Sequence, residues 1–196
     1  MTSLLVLDAH GWASTVTGVV MLTVAAFPVA VLVTCVLAGA RISAGVAPRV
    51  AWRRSVTEVG LVYGTVPGIW LTMLPSGPAG YGAVSLVPLV DLETMSTFQV
   101  VGNLLLLAPL GFFAPLRVAA LATFPRVVAL GAAASTLIEV LQHELALGRV
   151  SSVDDILLNT TGAALAAVLS WPLWAGRRPS ASPTELPRQR RRQPAG

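Results

Sequence analysis

Five apolar runs, each near the length of about 20 residues that a helix needs to cross a bilayer, govern what this chain can fold into. They cover residues 15–40, 56–74, 98–116, 126–145 and 154–173. Each is apolar around most of its circumference, where a soluble amphipathic helix would be apolar on one face. With 55% hydrophobic and 11% charged residues in a chain of 196, the expected fold is an all-α integral membrane protein, a small bundle of five transmembrane helices. The single cysteine, Cys35, leaves no intrachain disulfide and reads as a small buried apolar residue.

All thirteen basic residues are arginine. Arg41, Arg49, Arg53 and Arg54 fill the first connection, Arg117 and Arg126 the third, and Arg177, Arg178, Arg188, Arg190, Arg191 and Arg192 the tail. Because consecutive spans reverse direction, twelve of the thirteen fall on one side of a five-span bundle. The positive-inside rule assigns that side to the cytoplasm. The amino terminus and the segments 75–97 and 146–153 are then outside, the carboxyl terminus inside, and only Arg149 is an outward arginine. No basic residue precedes the first run, so no cleaved leader is expected. The same distribution accounts for the net charge of +4 as a topology signal, with no nucleic-acid partner. Trp52, Trp171 and Trp174 are expected at inner interfaces, Trp12 and Trp70 at outer ones. Pro67 and Pro109 are expected to kink their helices. The segment 176–196, rich in Pro, Ser and Arg, is expected to be a disordered basic cytoplasmic tail.

Against this apolar background, polar side chains at membrane depth stand out, since each carries a desolvation cost of roughly a few kcal/mol. At a rise of about 1.5 Å per residue, Asn103 and Asn159 lie about 7 Å, and Glu139 about 9 Å, below the outer ends of their spans. Three helices thus offer polar groups at matching depth. Glu139 and Gln142 are three apart and Asp155 and Asn159 four apart, so each pair shares a helix face. Gly162 continues the Asp155 face and permits close helix approach. Arg149, in the short connection before the last span, can reach back to Glu139 or Asp155.

Each residue also has a plainer reading. Arg149 can close its connection as a salt bridge. Asp155 and Asp154 both fit a helix N-cap. Asn103, Asn159 and Gln142 can fasten helix to helix, and Ser135 can bond within its own helix. Asp91 and Glu93 read as exposed outer charges. Glu139, His143 and Asp155 invite a metal test, which the lack of a HExxH or repeated histidine pattern answers with no metal site. Nucleophile elbows and Gly-rich phosphate loops are missing, and no cofactor is expected. The expected ligand-binding set is Asn103, Glu139, Gln142, Arg149, Asp155 and Asn159, with Glu139 and Asp155 as the acid and base if a reaction is catalysed.

Asn103-Leu-Leu-Leu-Leu-Ala-Pro109-Leu-Gly111-Phe112, Glu139-Val-Leu-Gln142, and Gly148-Arg149 followed by Asp155-Ile-Leu-Leu-Asn159-Thr-Thr-Gly162 together resemble the VanZ-like family of membrane proteins. Leu86-Val87-Pro88-Leu89 looks like the family's short outer segment. The resemblance covers residues 84–173, leaving the leading spans and the tail outside it, and His143 is not part of the motif. It implies a three-span core at 84–175, preceded by a two-span region at 1–83 and followed by the tail at 176–196. It also implies that the six polar residues above occupy family motif positions in the cell membrane. The family is named for a protein conferring tolerance to the glycopeptide teicoplanin. The expected partner is therefore a membrane lipid or lipophilic glycopeptide-like ligand of the cell envelope. Alternatives are an intramembrane acid/base enzyme acting on an envelope lipid, and a structural partner of another membrane protein.

Overall fold

The computed structural model describes residues 15–76, 80 and 82–175. Six α-helices dominate: α1 (Val16–Ser43), α2 (Pro48–Thr72), α3 (Thr97–Leu106), α4 (Ala108–Arg117), α5 (Phe124–Glu144) and α6 (Val153–Trp174). Two 3₁₀ turns, Asp91–Glu93 and Ala119–Leu121, and two short strands, β1 (Val84–Ser85) and β2 (Ser151–Ser152), complete it. The segment expected as the tail, together with Trp12, lies outside the described residues.

The local causes of these elements are legible. Thr15 and Ser152 accept N–H groups at the starts of α1 and α6, and Ser96 with Gln99 forms a reciprocal capping box on α3. Pro48 and Pro125 open α2 and α5 in first-turn positions that need no N–H. The third apolar run is not one helix. Leu107, at φ −104° and ψ 6°, separates α3 from α4, because Pro109 supplies no N–H and its ring crowds the preceding turn. At Pro67 the helix continues unbroken.

Among the described residues four segments are long and apolar enough to cross a membrane: Val16–Ser43, Thr97–Arg117, Phe124–Glu144 and Val153–Trp174. The chain is therefore an all-α membrane protein. The fifth expected span, 56–74 within α2, is not among these four: besides Glu58 it holds the weakly apolar Thr57, Gly60, Gly64, Thr65, Pro67, Gly68 and Thr72.

The centre of the bundle is α6, packed on α3, α4 and α5. Backbones meet there: a Cβ at Gly162 would lie 1.8 Å from the Leu104 carbonyl oxygen, and one at Gly111 2.0 Å from that of Ala163. The close approach read from Gly162 is borne out. A second glycine stripe, Gly60, Gly64 and Gly68 on α2, receives Phe113, Pro109 and Leu106; the four-residue spacing is the small-residue signature of membrane helix contacts. Leu106, Leu107, Ile138 and Ala163 form one apolar cluster, and Leu116, Val127, Ala167 and Trp174 another. Trp174, expected at an interface, is 2% exposed and donates its ring N–H to Ser170 at 2.9 Å. Cys35 differs in the opposite sense, being exposed on α1, a helix that packs chiefly on α2.

The alternating path of the helices produces two unlike ends. At the arginine end, Glu58 pairs with Arg41 and with Arg117 (2.7 Å), joining α1, α2 and α4. At the loop end, β1 and β2 pair in parallel, Val84 with Ser151 and Ser85 with Ser152.

Candidate functional site

Short backbone pairings seat the loop end, and with it most polar side chains of interest. Ser151 donates its N–H to Ala83 at 3.0 Å, and Ser76 donates to Leu147 at 3.2 Å. Gly82 runs so close to Arg149 that a Cβ there would lie 1.6 Å from the Arg149 carbonyl oxygen. The segment bearing Arg149 is thereby fixed from both sides.

Asp154 does more than cap a helix. Buried at 2% exposure, its carboxylate accepts backbone N–H groups from Leu89, from Asp91 at 3.0 Å and from Leu92 at 3.1 Å. Leu89 is held at φ 68°, a left-handed conformation uncommon for leucine. Asp91 is also more than an exposed charge. It accepts the Ser152 hydroxyl at 2.6 Å. With the Ser85 hydroxyl added, these bonds hold its carboxyl below the usual aspartate range. Glu93 is exposed as expected.

This frame surrounds a recess of about 310 Å³ lined by Asp91, Gln99, Arg149, Ser152 and Asp155 among others. Asn103 donates its side-chain amide to Asp155, joining α3 to α6 one turn nearer the start of α6 than Asn159, the residue that the helix rise matched with it. Arg149 is half-buried and close enough to act electrostatically on both Asp155 and Glu139. Among the described residues it forms no ion pair; the ion pairs found there belong to Glu58. A guanidinium and a carboxylate that face one recess without closing on each other can offer both charges to a ligand.

The remaining expected site residues divide. Glu139, 7% exposed, lines a neighbouring apolar hollow of about 240 Å³ with Val84, Leu86, Val140, Val153 and Ile156. Gln142, 5% exposed, donates to the Thr72 carbonyl at 2.7 Å and fastens the end of α5 to the end of α2. Asn159, 1% exposed, donates to the Ser135 hydroxyl at 2.9 Å and fastens α6 to α5. Ser135 thus serves a neighbouring helix. Gln142 and Glu139 share a face, yet three residues still separate them by about 60° around the axis, enough for one to meet α2 and the other the hollow. Asn159 sits about 6 Å deeper than Asp155, where α5 covers it.

Among the described residues no group of three His, Cys, Asp or Glu side chains is placed to hold a metal ion. His143 lines the apolar hollow with Glu144. Sequence reasoning passed over Glu58, whose signal was available: it is the one acidic residue between positions 15 and 90.

Fold and site together define a helical membrane protein with a polar recess beside an apolar hollow at one end of its bundle. The recess residues and both helix fasteners fall in the part of the chain that a known family covers. The chain belongs to the VanZ/LLP1 family, whose model matches residues 61–175. The match begins inside α2, upstream of the Val84 boundary read from the motifs. Neither the curated proteins nor the solved structures gave a match.

Proposed function

We propose that this protein binds a lipid-linked or lipophilic cell-envelope ligand at the loop end, with Arg149 taking an anionic group and Asp155, oriented by Asn103, taking hydroxyl or amine donors. One observation carries this reading: Arg149 and Asp155 share an open polar recess and, among the described residues, do not pair. A ligand with an acyl chain in lipid and a polar head at the interface suits a recess beside apolar helices. In this reading the chain crosses the cell membrane five times, α2 supplying the fifth span, with the loop end outward and the arginine end cytoplasmic. The VanZ-like motif positions extend the reading to tolerance of lipophilic glycopeptides of the teicoplanin type. Acid/base catalysis by Glu139 and Asp155 is the weaker reading, because the two carboxylates line different hollows.

The test is teicoplanin susceptibility of a strain lacking the protein, complemented with wild type, Arg149→Ala, Asp155→Asn or Glu139→Gln at matched membrane levels. Wild type restores tolerance; Arg149→Ala and Asp155→Asn do not, although both reach the membrane in normal amount. Unchanged susceptibility on deletion overturns the glycopeptide reading, and full rescue by Arg149→Ala overturns the recess as the site.

A further inference from the structure

The hollow beside the recess has features of a binding site in its own right. It lies between α5, the start of α6 and β1, and its walls are mostly apolar: Val84, Leu86, Val140, Val153 and Ile156. Its volume of about 240 Å³ far exceeds one water's share of liquid, roughly 30 Å³. Glu139 is one of the lining residues, and Ser151 and Ser152 act on its carboxyl as hydrogen-bond donors. Glu139 is 7% exposed, and its Oε2 has no hydrogen-bond partner among the described residues. A buried carboxylate oxygen without a donor is costly to leave so, and buried polar groups in native proteins nearly always find partners.

The chemistry of the missing partner is constrained by the lining. Two carboxylates, Glu139 and Glu144, line the hollow against one imidazole, His143, and no arginine. A group with an anionic head would meet two carboxylates there against the single His143 ring. A group that brings an N–H or O–H donor would satisfy Oε2, while an alkyl chain attached to it would cover the valine, leucine and isoleucine walls.

We propose that this hollow takes an alkyl chain whose first polar group is an amine or hydroxyl donating to Glu139, and that it rejects the corresponding carboxylic acid. The proposal deepens the envelope-ligand reading, on which it rests, by assigning the ligand's apolar part and the donor next to it. Ser152 lines both the hollow and the recess, so one amphiphile can occupy the two with its anionic group at Arg149.

The experiment uses the full chain in phosphatidylcholine nanodiscs with three photoreactive probes of equal chain length, a long-chain amine, the alcohol and the carboxylic acid. Crosslinks are mapped by mass spectrometry, and the melting temperature of every variant is recorded. The amine and alcohol label residues 136–156, and the acid labels them at least about tenfold less, the scale of one lost hydrogen bond to a charged group. Glu139→Leu removes the preference for the donors, and Ile156→Trp, which fills the hollow, lowers all labelling there. Arg149→Ala leaves labelling by the amine and the alcohol intact, because neither carries an anion for the recess. Equal labelling by acid and amine overturns the proposal, as does unchanged selectivity in Glu139→Leu with its melting temperature preserved. If the hollow fails in this way while Arg149→Ala still abolishes tolerance in the strain, the recess reading survives alone. If the strain shows no dependence on Arg149 yet the hollow selects donors, the recess reading is the one that falls.

Discussion

The two ends of the bundle treat their carboxylates differently. At the arginine end Glu58 is fully engaged, joined to Arg41 and Arg117 so that three helices share one charge cluster. At the loop end Arg149 stands near Glu139 and Asp155 without closing on either, and Glu139 keeps an oxygen unpartnered. The arginine end uses charge to hold helices together. The loop end holds its shape by backbone pairing and one buried carboxylate, Asp154, and leaves its other charges available. Its frame is built from backbone pairing of β1 with β2, from Asp154 gathering three loop amides, and from the glycine contact that presses α6 against α3.

If that division is correct, the largest loss of stability comes from Asp154→Ala. The substitution strips the backbone N–H groups of Leu89, Asp91 and Leu92 of their acceptor in a buried place, and hydrogen bonds to a charged group are worth about 1.5–3 kcal/mol each. An overall loss of about 3 kcal/mol or more is expected, read as a lower melting temperature in detergent with early proteolysis in residues 82–96. A melting temperature equal to wild type would show that the loop end is held some other way.

Glu58→Gln probes the opposite end and is expected to cost less. Glu58 and Arg41 have side chains about a quarter exposed and Arg117 44%, so the pairs are screened, and about 1 kcal/mol is the expected scale. The Arg41 contact to Ser55 remains to hold α1 on α2. Thermal unfolding of Glu58→Gln beside Asp154→Ala ranks the two ends directly. A larger loss for Glu58→Gln would reverse the comparison.

The helices and their alternating direction were legible in the sequence, because apolar length and arginine placement act along the chain. The partners of those polar groups were not. A helix that is apolar nearly all round gives no periodicity from which to read its rotation, so nothing local told that Gln142 turns to Thr72 or Asn159 to Ser135. The left-handed Leu89 and the triple use of Asp154 depend on residues more than sixty positions apart. The break at Leu107 was partly announced by Pro109, and the Gly60, Gly64 and Gly68 stripe was in plain view at its four-residue spacing. What spacing could not supply was how the six site positions distribute themselves. Asn103, Asp155 and Arg149 gather about the recess, Glu139 faces the hollow, and Gln142 and Asn159 are sealed between helices.

The smallest expected effect concerns Asp91, which bridges the recess and its frame through the Ser152 and Ser85 hydroxyls. Those bonds favour the ionised carboxyl and lower its folded-state pKa below the ordinary 3.8. A group whose pKa is lower in the folded than in the unfolded state adds stability above its unfolded value, and that contribution fades as pH falls toward and through the folded one. Wild type and Asp91→Asn should therefore differ in melting temperature near neutral pH, and the gap should narrow once the solution is taken below about pH 4, where the unfolded carboxyl begins to protonate. Glu93→Gln, at an exposed position on the same 3₁₀ turn, is the matched substitution beside which the Asp91→Asn gap is read. A difference that is constant across this range would mean that Asp91 contributes through packing alone. The charge of the loop end would then be reserved for Arg149, Asp155 and Glu139, which sharpens the contrast with Glu58.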